Sequence, residues 1–112
     1  MGAQFLYPRM QILLTAPVSF SGAGDNTIVA AVASTRIVVD RIFLVVAAAT
    51  NLTFKDGAAT ALSGAVPMAA NGGLTFDTTG EPWFTTTLGN AFIINSSAGI
   101  QVSGQIYYHL TT

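Results

Sequence analysis

From Ile100 to Leu110 the side chains change character at nearly every step. Ile100, Val102, Ile106, Tyr108 and Leu110 fall on one side, and Gln101, Ser103, Gln105, Tyr107 and His109 on the other. A repeat of two is that of an extended strand, and a helix would scatter both sets around its axis. One apolar face and one polar face is the pattern of an antiparallel sheet covered on one side. The same alternation recurs in Asn51-Leu52-Thr53-Phe54-Lys55, with Leu52 and Phe54 inward. Asp56-Gly57 follows and predicts a two-residue hairpin turn, because both positions tolerate positive φ. The return strand is expected over residues 58–63. Asn71-Gly72-Gly73 is a second turn, leading into Leu74-Thr75-Phe76. Residues 90–95 read as a short strand. Ser96-Ser97-Ala98-Gly99 turns it into the final strand, so those last two are expected to pair as a hairpin. Residues 11–20 form a strand whose Pro17 must sit at an edge or a bulge. The small and β-branched residues 27–33 make another. No 3.6-residue apolar stripe exceeds two turns. About eight strands spaced by roughly 8–14 residues predict an all-β fold: a single antiparallel β-sandwich, jelly-roll-like.

Residues 36–48 (RIVVDRIFLVVAA) break the alternation. They are almost continuously apolar, so this strand is expected to be buried on both faces, the second by a partner chain. Asp40 and Arg41 interrupt it. Neighbours on a strand point to opposite faces, so each is expected to find its partner elsewhere, on Arg36 or on another subunit. Charge is scarce throughout: 8% of the 112 residues, against ~25% in an ordinary soluble domain. Apolar types make up 51%. A small monomer stays dispersed by a charged, patch-free surface. This composition predicts a surface covered by copies of the chain itself or by a larger assembly. The length fits one domain over residues 1–112, with about two-thirds of the unfolded surface buried. Pro8 sets off residues 1–9 as an N-terminal arm.

The same inventory excludes much chemistry. There is no cysteine, hence no disulfide, thiolate metal site or thiol nucleophile. His109 is the sole histidine, and the sequence shows no group to orient it as a base. A zinc site needs several nitrogen or sulfur ligands, so no metal is expected. Asp77 and Glu81 flank Thr78-Thr79-Gly80, closed by Pro82; they read as a solvated turn rather than a glycosidase pair or a calcium site. Gly22-Ala23-Gly24 before Asp25-Asn26 lacks the third glycine of a dinucleotide fingerprint and opens no helix. Arg9, Arg36, Arg41 and Lys55 form no basic stripe, which argues against nucleic acid. The longest apolar run, residues 42–49, is far short of the ~20 residues of a membrane span. Residues 10–20 read as a strand rather than a signal sequence, since Gln11 and Pro17 interrupt them. The expectation is a protein that is not an enzyme, with no cofactor, small-molecule substrate, nucleic acid or membrane among its partners. Pro82-Trp83-Phe84, with the sole tryptophan, suits a lid over the core, a subunit contact or a platform for a sugar ring.

Five stretches carry a resemblance: Asn51-Leu52-Thr53-Phe54-Lys55-Asp56-Gly57; Ala69-Ala70-Asn71-Gly72-Gly73; Pro82-Trp83-Phe84-Thr85-Thr86; Gly89-Asn90-Ala91; and Ile100-Gln101-Val102-Ser103-Gly104 running on to Tyr107-Tyr108. Together they resemble small virion proteins of tailed bacteriophages, head decoration (cement) proteins among them, over about two-thirds of the chain. The matching segments are turns and core strands, so no catalytic residue is carried over. The resemblance implies a trimeric β-sandwich on the outer surface of the capsid. There it would clamp capsomers non-covalently through the major capsid protein. A carbohydrate- or receptor-binding module of a spike, fibre or tail is the alternative. The candidate interface residues are Arg36, Asp40, Arg41, Phe43, Trp83 and Phe84.

Overall fold

A computed structural model describes residues 13–77 and 81–112 of the chain. The expected arm at residues 1–9 and the centre of the turn between Asp77 and Glu81 lie outside the described residues. Among these residues there are ten strands and no helix: β1 (Leu14–Phe20), β2 (Gly24–Val29), β3 (Arg36–Val46), β4 (Thr50–Asp56), β5 (Thr60–Ala61), β6 (Val66–Met68), β7 (Gly73–Asp77), β8 (Phe84–Thr85), β9 (Phe92–Ser96) and β10 (Val102–Thr111). They form two five-stranded sheets. The front sheet runs β1-β10-β3-β7, with β8 also on β3; the back sheet runs β2-β9-β4-β5, with β6 also on β4. Every pairing is antiparallel.

Followed inward from both ends, the chain pairs with itself as one long hairpin. β1 lies on β10, β2 on β9, β3 on β7 and β8, and β4 on β5 and β6. Rolling that hairpin sets β10 against β3 and β9 against β4, which completes the two sheets. One core fills the space between them. The front sheet supplies Val18, Ile37, Val39, Ile42, Leu44, Val46, Phe76, Phe84, Val102 and Ile106; the back sheet supplies Val29, Leu52, Phe54, Met68, Phe92 and Ile94. The alternation of β10 and β4 thus does what period two requires.

Four expectations need correction. The last two strands do not pair as a hairpin, since β9 belongs to the back sheet and β10 to the front. Between them the chain is fastened by hydroxyls: Ser96 Oγ donates to the Ala98 carbonyl at 2.8 Å, and the Ala98 N–H donates to Thr50 Oγ1 at 3.2 Å. Residues 97–101 then have length enough to cross the ~10 Å between packed sheets. The Asp56-Gly57 turn is real but longer than two residues. Asp56 pairs with Thr60 inside the ladder, and the loop is residues 57–59, with Gly57 at a φ of 65°. β2 stops at Val29, so residues 30–33 are exposed loop rather than strand.

The fourth correction is to β3, which is not buried on both faces along its length. Ile37, Val38 and Val39 are buried, but beyond Asp40 burial alternates, leaving Phe43 46% and Val45 49% exposed. A β-bulge accounts for the change. Tyr107 is matched by Arg41 and Tyr108 by Val39, so Asp40 is an extra residue that the β10 register passes over. The core positions shift from Ile37 and Val39 to Ile42, Leu44 and Val46. Asp40 and Arg41 therefore both project from the outer face instead of opposite ones.

β10 is held close between its neighbours. A Cβ on Gly104 would run into the Phe43 carbonyl oxygen and lie 2.7 Å from Leu44 Cα, both backbone atoms that cannot swing aside. Gly104→Ala is expected to cost about 1–3 kcal/mol by forcing the strands apart. At this chain size that lowers the melting temperature by roughly 5–15 °C in a circular-dichroism melt. An unchanged melting curve would contradict the close packing of β10 on β3.

Candidate functional site

The outer face of the front sheet is where the residues singled out in the sequence converge. Register places its side chains in rows across the strands. One row is Thr15, Tyr107, Arg41 and Asp77; the next is Pro17, Gln105, Phe43 and Thr75; the third is Ser19, Ser103, Val45 and Gly73. Phe43 and Val45 stand at its middle, surrounded by small or neutral residues. They form an apolar pair at the centre of an open sheet face rather than at a core edge.

The charges on this face are tied to each other. Arg41 Nε lies 3.1 Å from Asp77 Oδ2, with both side chains about half exposed. The Arg41 guanidinium also sits 6.0 Å from the centre of the Tyr107 ring, within the range of a cation–π contact. Asp40, pushed outward by the bulge, has its Oδ2 2.7 Å from His109 Nδ1, and each of these side chains is only 19% exposed. The sequence reading found no orienter for His109; the bulge supplies one. A carboxylate on Nδ1 is also how a catalytic histidine is held, but here the pair fastens the irregular point of β3 to β10.

The other sequence candidates lie elsewhere. Arg36 donates from Nη1 to the Thr86 carbonyl at 3.4 Å, away from the apolar centre. Phe84 is 7% exposed and sits in the core, stacked on Phe54 with ring centres 4.8 Å apart and edge-on to Phe76 at 5.5 Å. It is therefore unavailable to a partner. Trp83 stacks on Phe76 at 4.7 Å yet remains 64% exposed. One face of the indole lids the core and the other is open. Among the described residues no group of three or more His, Cys, Asp or Glu side chains comes together to hold a metal ion.

Two carboxylates that the sequence reading gave no role, Asp56 and Asp25, tie strands and loops together. Asp56 is buried, and accepts from the Thr87 N–H at 3.0 Å, the Thr87 hydroxyl at 2.7 Å and Asn90 Nδ2 at 3.0 Å. Burial pushes its pKa up. The Thr87 hydroxyl and N–H, Asn90 and the charge of Arg36 more than offset that, so the carboxyl titrates below its ordinary value. On the back sheet Asp25 accepts from Asn95 Nδ2 at 2.7 Å and from Lys55 Nζ at 3.0 Å. Those hydrogen bonds, that of Asn95 first, hold its pKa low as well. The sequence signal for Asp56 was present in the polar run Thr86-Thr87 and Asn90. Nothing local, however, showed that this loop folds over the β4–β5 turn.

Compared with known proteins, the chain matches no family model, and no curated protein matches it.

Removing the two outer-face side-chain contacts should have unequal effects. Asp40→Ala takes a short, largely buried hydrogen bond from His109 and is expected to cost about 1.5–3 kcal/mol. Arg41→Ala breaks a half-exposed pair and should cost about 0–1 kcal/mol. Equal urea midpoints for the two variants would refute the role given to the bulge. Acid should also unfold the protein in a defined window. Asp25 and Asp56 titrate lower in the folded chain than the ordinary 3.8. Their stabilisation is then complete above that value and is lost as pH falls through the depressed folded-state values. Urea midpoints should be flat from neutral pH down to about 5 and drop steeply below 4. Asp56→Asn should make that drop shallower, and an equally steep one would show that Asp56 does not drive it.

Proposed function

We propose that this chain is a structural virion protein that decorates a bacteriophage capsid. It stabilises the shell by non-covalent bridging of capsomers and associates with itself as a homotrimer. The observation that carries the reading is the pair Phe43 and Val45, nearly half exposed at the centre of the front sheet in a chain of which only 8% of residues are charged. Burying apolar surface stabilises by roughly 25 cal/mol per Å². A partner laid on this face gains from both side chains without desolvating an unpaired ion. The pairing order supports the fold half of the proposal. If β5 with β6 and β7 with β8 are each counted as one interrupted strand, eight strands wind as a rolled hairpin, the order of a jelly roll. Many weak contacts of this kind add up over a repeating shell through multivalency.

Trp83 favours a second reading, a carbohydrate- or receptor-binding module of a spike, fibre or tail. Its open indole face, held by Phe76, is a platform on which a sugar ring can stack. The two readings separate in one set of measurements. For the decoration protein, light scattering at micromolar concentration should give three times the 11.6 kDa chain mass. Phe43→Ser should reduce that to a monomer with an unchanged circular-dichroism spectrum. Heads carrying the wild-type protein should release DNA at a higher temperature than bare heads, and heads exposed to Phe43→Ser should behave as bare. Equal rupture temperatures with and without the protein would end the decoration reading. A glycan-array signal abolished by Trp83→Ala would put the binding module in its place.

A further inference from the structure

Two dipeptides in this chain set a side-chain carbonyl carbon next to a glycine nitrogen: Asp56-Gly57 and Asn71-Gly72. Such pairs close most readily into a five-membered succinimide, because glycine has no side chain to obstruct the approach. The fold treats the two differently. Asp56 is buried, and Thr87 and Asn90 hold its carboxylate by three hydrogen bonds. The Gly57 N–H donates to the Ala91 carbonyl at 2.9 Å, a bond between segments far apart in the chain. Asn71, by contrast, is exposed on a turn. The other asparagines are also disfavoured. Asn26, Asn90 and Asn95 commit their amides to hydrogen bonds and precede Thr27, Ala91 and Ser96. Asn51 precedes Leu52, whose side chain stands in the way.

The Gly72 N–H donates to the Ala69 carbonyl at 2.8 Å and closes a four-residue turn. Asn71 takes its third position at a φ of 62°, as a type II turn requires. The turn is clamped to the end of β3. The Asn71 N–H donates to the Val46 carbonyl at 2.8 Å, and the Val46 N–H donates to the Gly72 carbonyl at 3.0 Å. We propose that Asn71 is a site of spontaneous deamidation, gated by the opening of this turn. The nitrogen that must attack is the one bonded to Ala69, so ring closure waits until that bond breaks. The bond lies within the turn, which opens locally rather than with the whole fold. In the open turn hydroxide takes the Gly72 amide proton and the nitrogen attacks Asn71 Cγ. The Cγ–Nδ2 bond breaks, and the amide leaves with a proton as ammonia. Water then opens the imide. Breaking the bond to Cγ leaves aspartate, and breaking the bond to the main-chain carbonyl carbon leaves isoaspartate. Either product adds a carboxylate and doubles the formal net charge of −1. Isoaspartate also puts one more carbon between the residue-71 N–H and the Gly72 carbonyl, so the pair no longer fits Val46. The change falls beside the outer face, where Gly73 pairs with Val45. The proposal rests on the turn alone and is independent of the decoration reading.

The test is to incubate the full chain at neutral pH and map isoaspartate by peptide digestion and labelling with an isoaspartyl methyltransferase. In the folded chain isoaspartate is expected at residue 71 and not at Asp56-Gly57. It should form at least about tenfold more slowly than in a synthetic peptide of residues 67–75, because the reactive turn is a minor, opened state. In urea, where nothing holds the turn, residue 71 should react at the peptide's rate. Ala70→Pro supplies a second measurement. Residue 70 is exposed and takes the turn position that proline's fixed φ suits. Restricting the open turn there should slow the folded chain by about a further two- to fivefold relative to a peptide with the same substitution. Circular dichroism checks that the variant is folded. A folded chain that reacts as fast as the peptide would overturn the gating, and so would a proline variant no slower relative to its own peptide. A residue 71 that stays unmodified until the whole chain unfolds would overturn the local opening. Isoaspartate appearing first at Asp56-Gly57 or at another asparagine would overturn the assignment to Asn71.

Discussion

In β3, Asp40 fills a position that β10 does not match, and its hydrogen bond to His109 holds that extra residue in place. The front sheet is organised around this point. On the N-terminal side of the bulge β3 pairs with β8 at Val38 and Val39; on the C-terminal side it pairs with β7 from Arg41 to Val45. The seventh and eighth strands are thus two pieces of one edge, divided where β3 changes step. The bulge also shifts the parity of the strand. Ile37 and Val39 precede it, Ile42, Leu44 and Val46 follow, and all five face the core. Were β3 to run regularly through Asp40 with no bulge, the later three would face outward, since a one-residue slip moves a whole strand's side chains to the other face.

The few charges of this chain are spent inside the fold. Asp25 is joined to Lys55, Asp40 to His109 and Arg41 to Asp77, while Asp56 gathers Thr87 and Asn90 with Arg36 near enough to lower its pKa. The half-exposed Arg41–Asp77 pair contributes ~0–1 kcal/mol and the Asp40–His109 hydrogen bond about 1.5–3 kcal/mol, so the core, not the charges, supplies most of the stability. What the pairs do supply is position. Asp40 marks the bulge, Asp56 ties the β4–β5 turn to the loop before β9, and Asp25 spans β2 and β4 across β9. A surface whose ions are already engaged offers neutral faces to its surroundings. That is the physical link between 8% charged residues and the open apolar centre at Phe43 and Val45.

Much of the fold was legible where one strand face was buried and the other was not. The alternation of residues 100–110 and 51–55 gave β10 and β4 directly, because period two is a local property. The turn at Asn71-Gly72 was legible for the same reason: Asn71 adopts a φ of 62°, and a Cβ on Gly72 would lie 2.8 Å from the Ala69 carbonyl. The choice of sheet for β9 and β10 was not legible, since it depends on Thr50 hydroxyl contacts from 46 residues away in the chain. The bulge could have been read. The apolar run of β3 is two alternating runs of opposite parity joined at Asp40-Arg41, and taking it as one doubly buried strand hid the exposed face. Of the candidate interface residues, Asp40, Arg41 and Phe43 do share that face. Phe84 could not be told from Trp83 by sequence, because adjacent aromatics after a turn look alike until one of them is seen to reach Phe54.

The size of the front face bears on how copies would meet. It carries Gly73, Ser103, Pro17 and Thr75 around Phe43 and Val45. Four strands at ~4.8 Å spacing, each contributing about five residues of ~3.4 Å, cover only roughly 300 Å² in projection. A specific interface removes ~800 Å² from each partner. The face is therefore the centre of a contact and not the whole of one. In a closed ring of three each copy presents two different patches, one to each neighbour, whereas a face meeting its own image gives a dimer. Under the proposed trimer, the surface that receives Phe43 must lie elsewhere on the sandwich. The back sheet, with its Asp25–Lys55–Asn95 network on the outside, would have to desolvate a paired ion to serve, a cost that Coulomb attraction does not always return. The open edge at β7 also carries a pair, Asp77 with Arg41, but there Trp83, held by Phe76, adds an exposed apolar ring that can take up the contact. An arrangement that seats Phe43 of one copy beside Trp83 of the next uses two exposed aromatics at once.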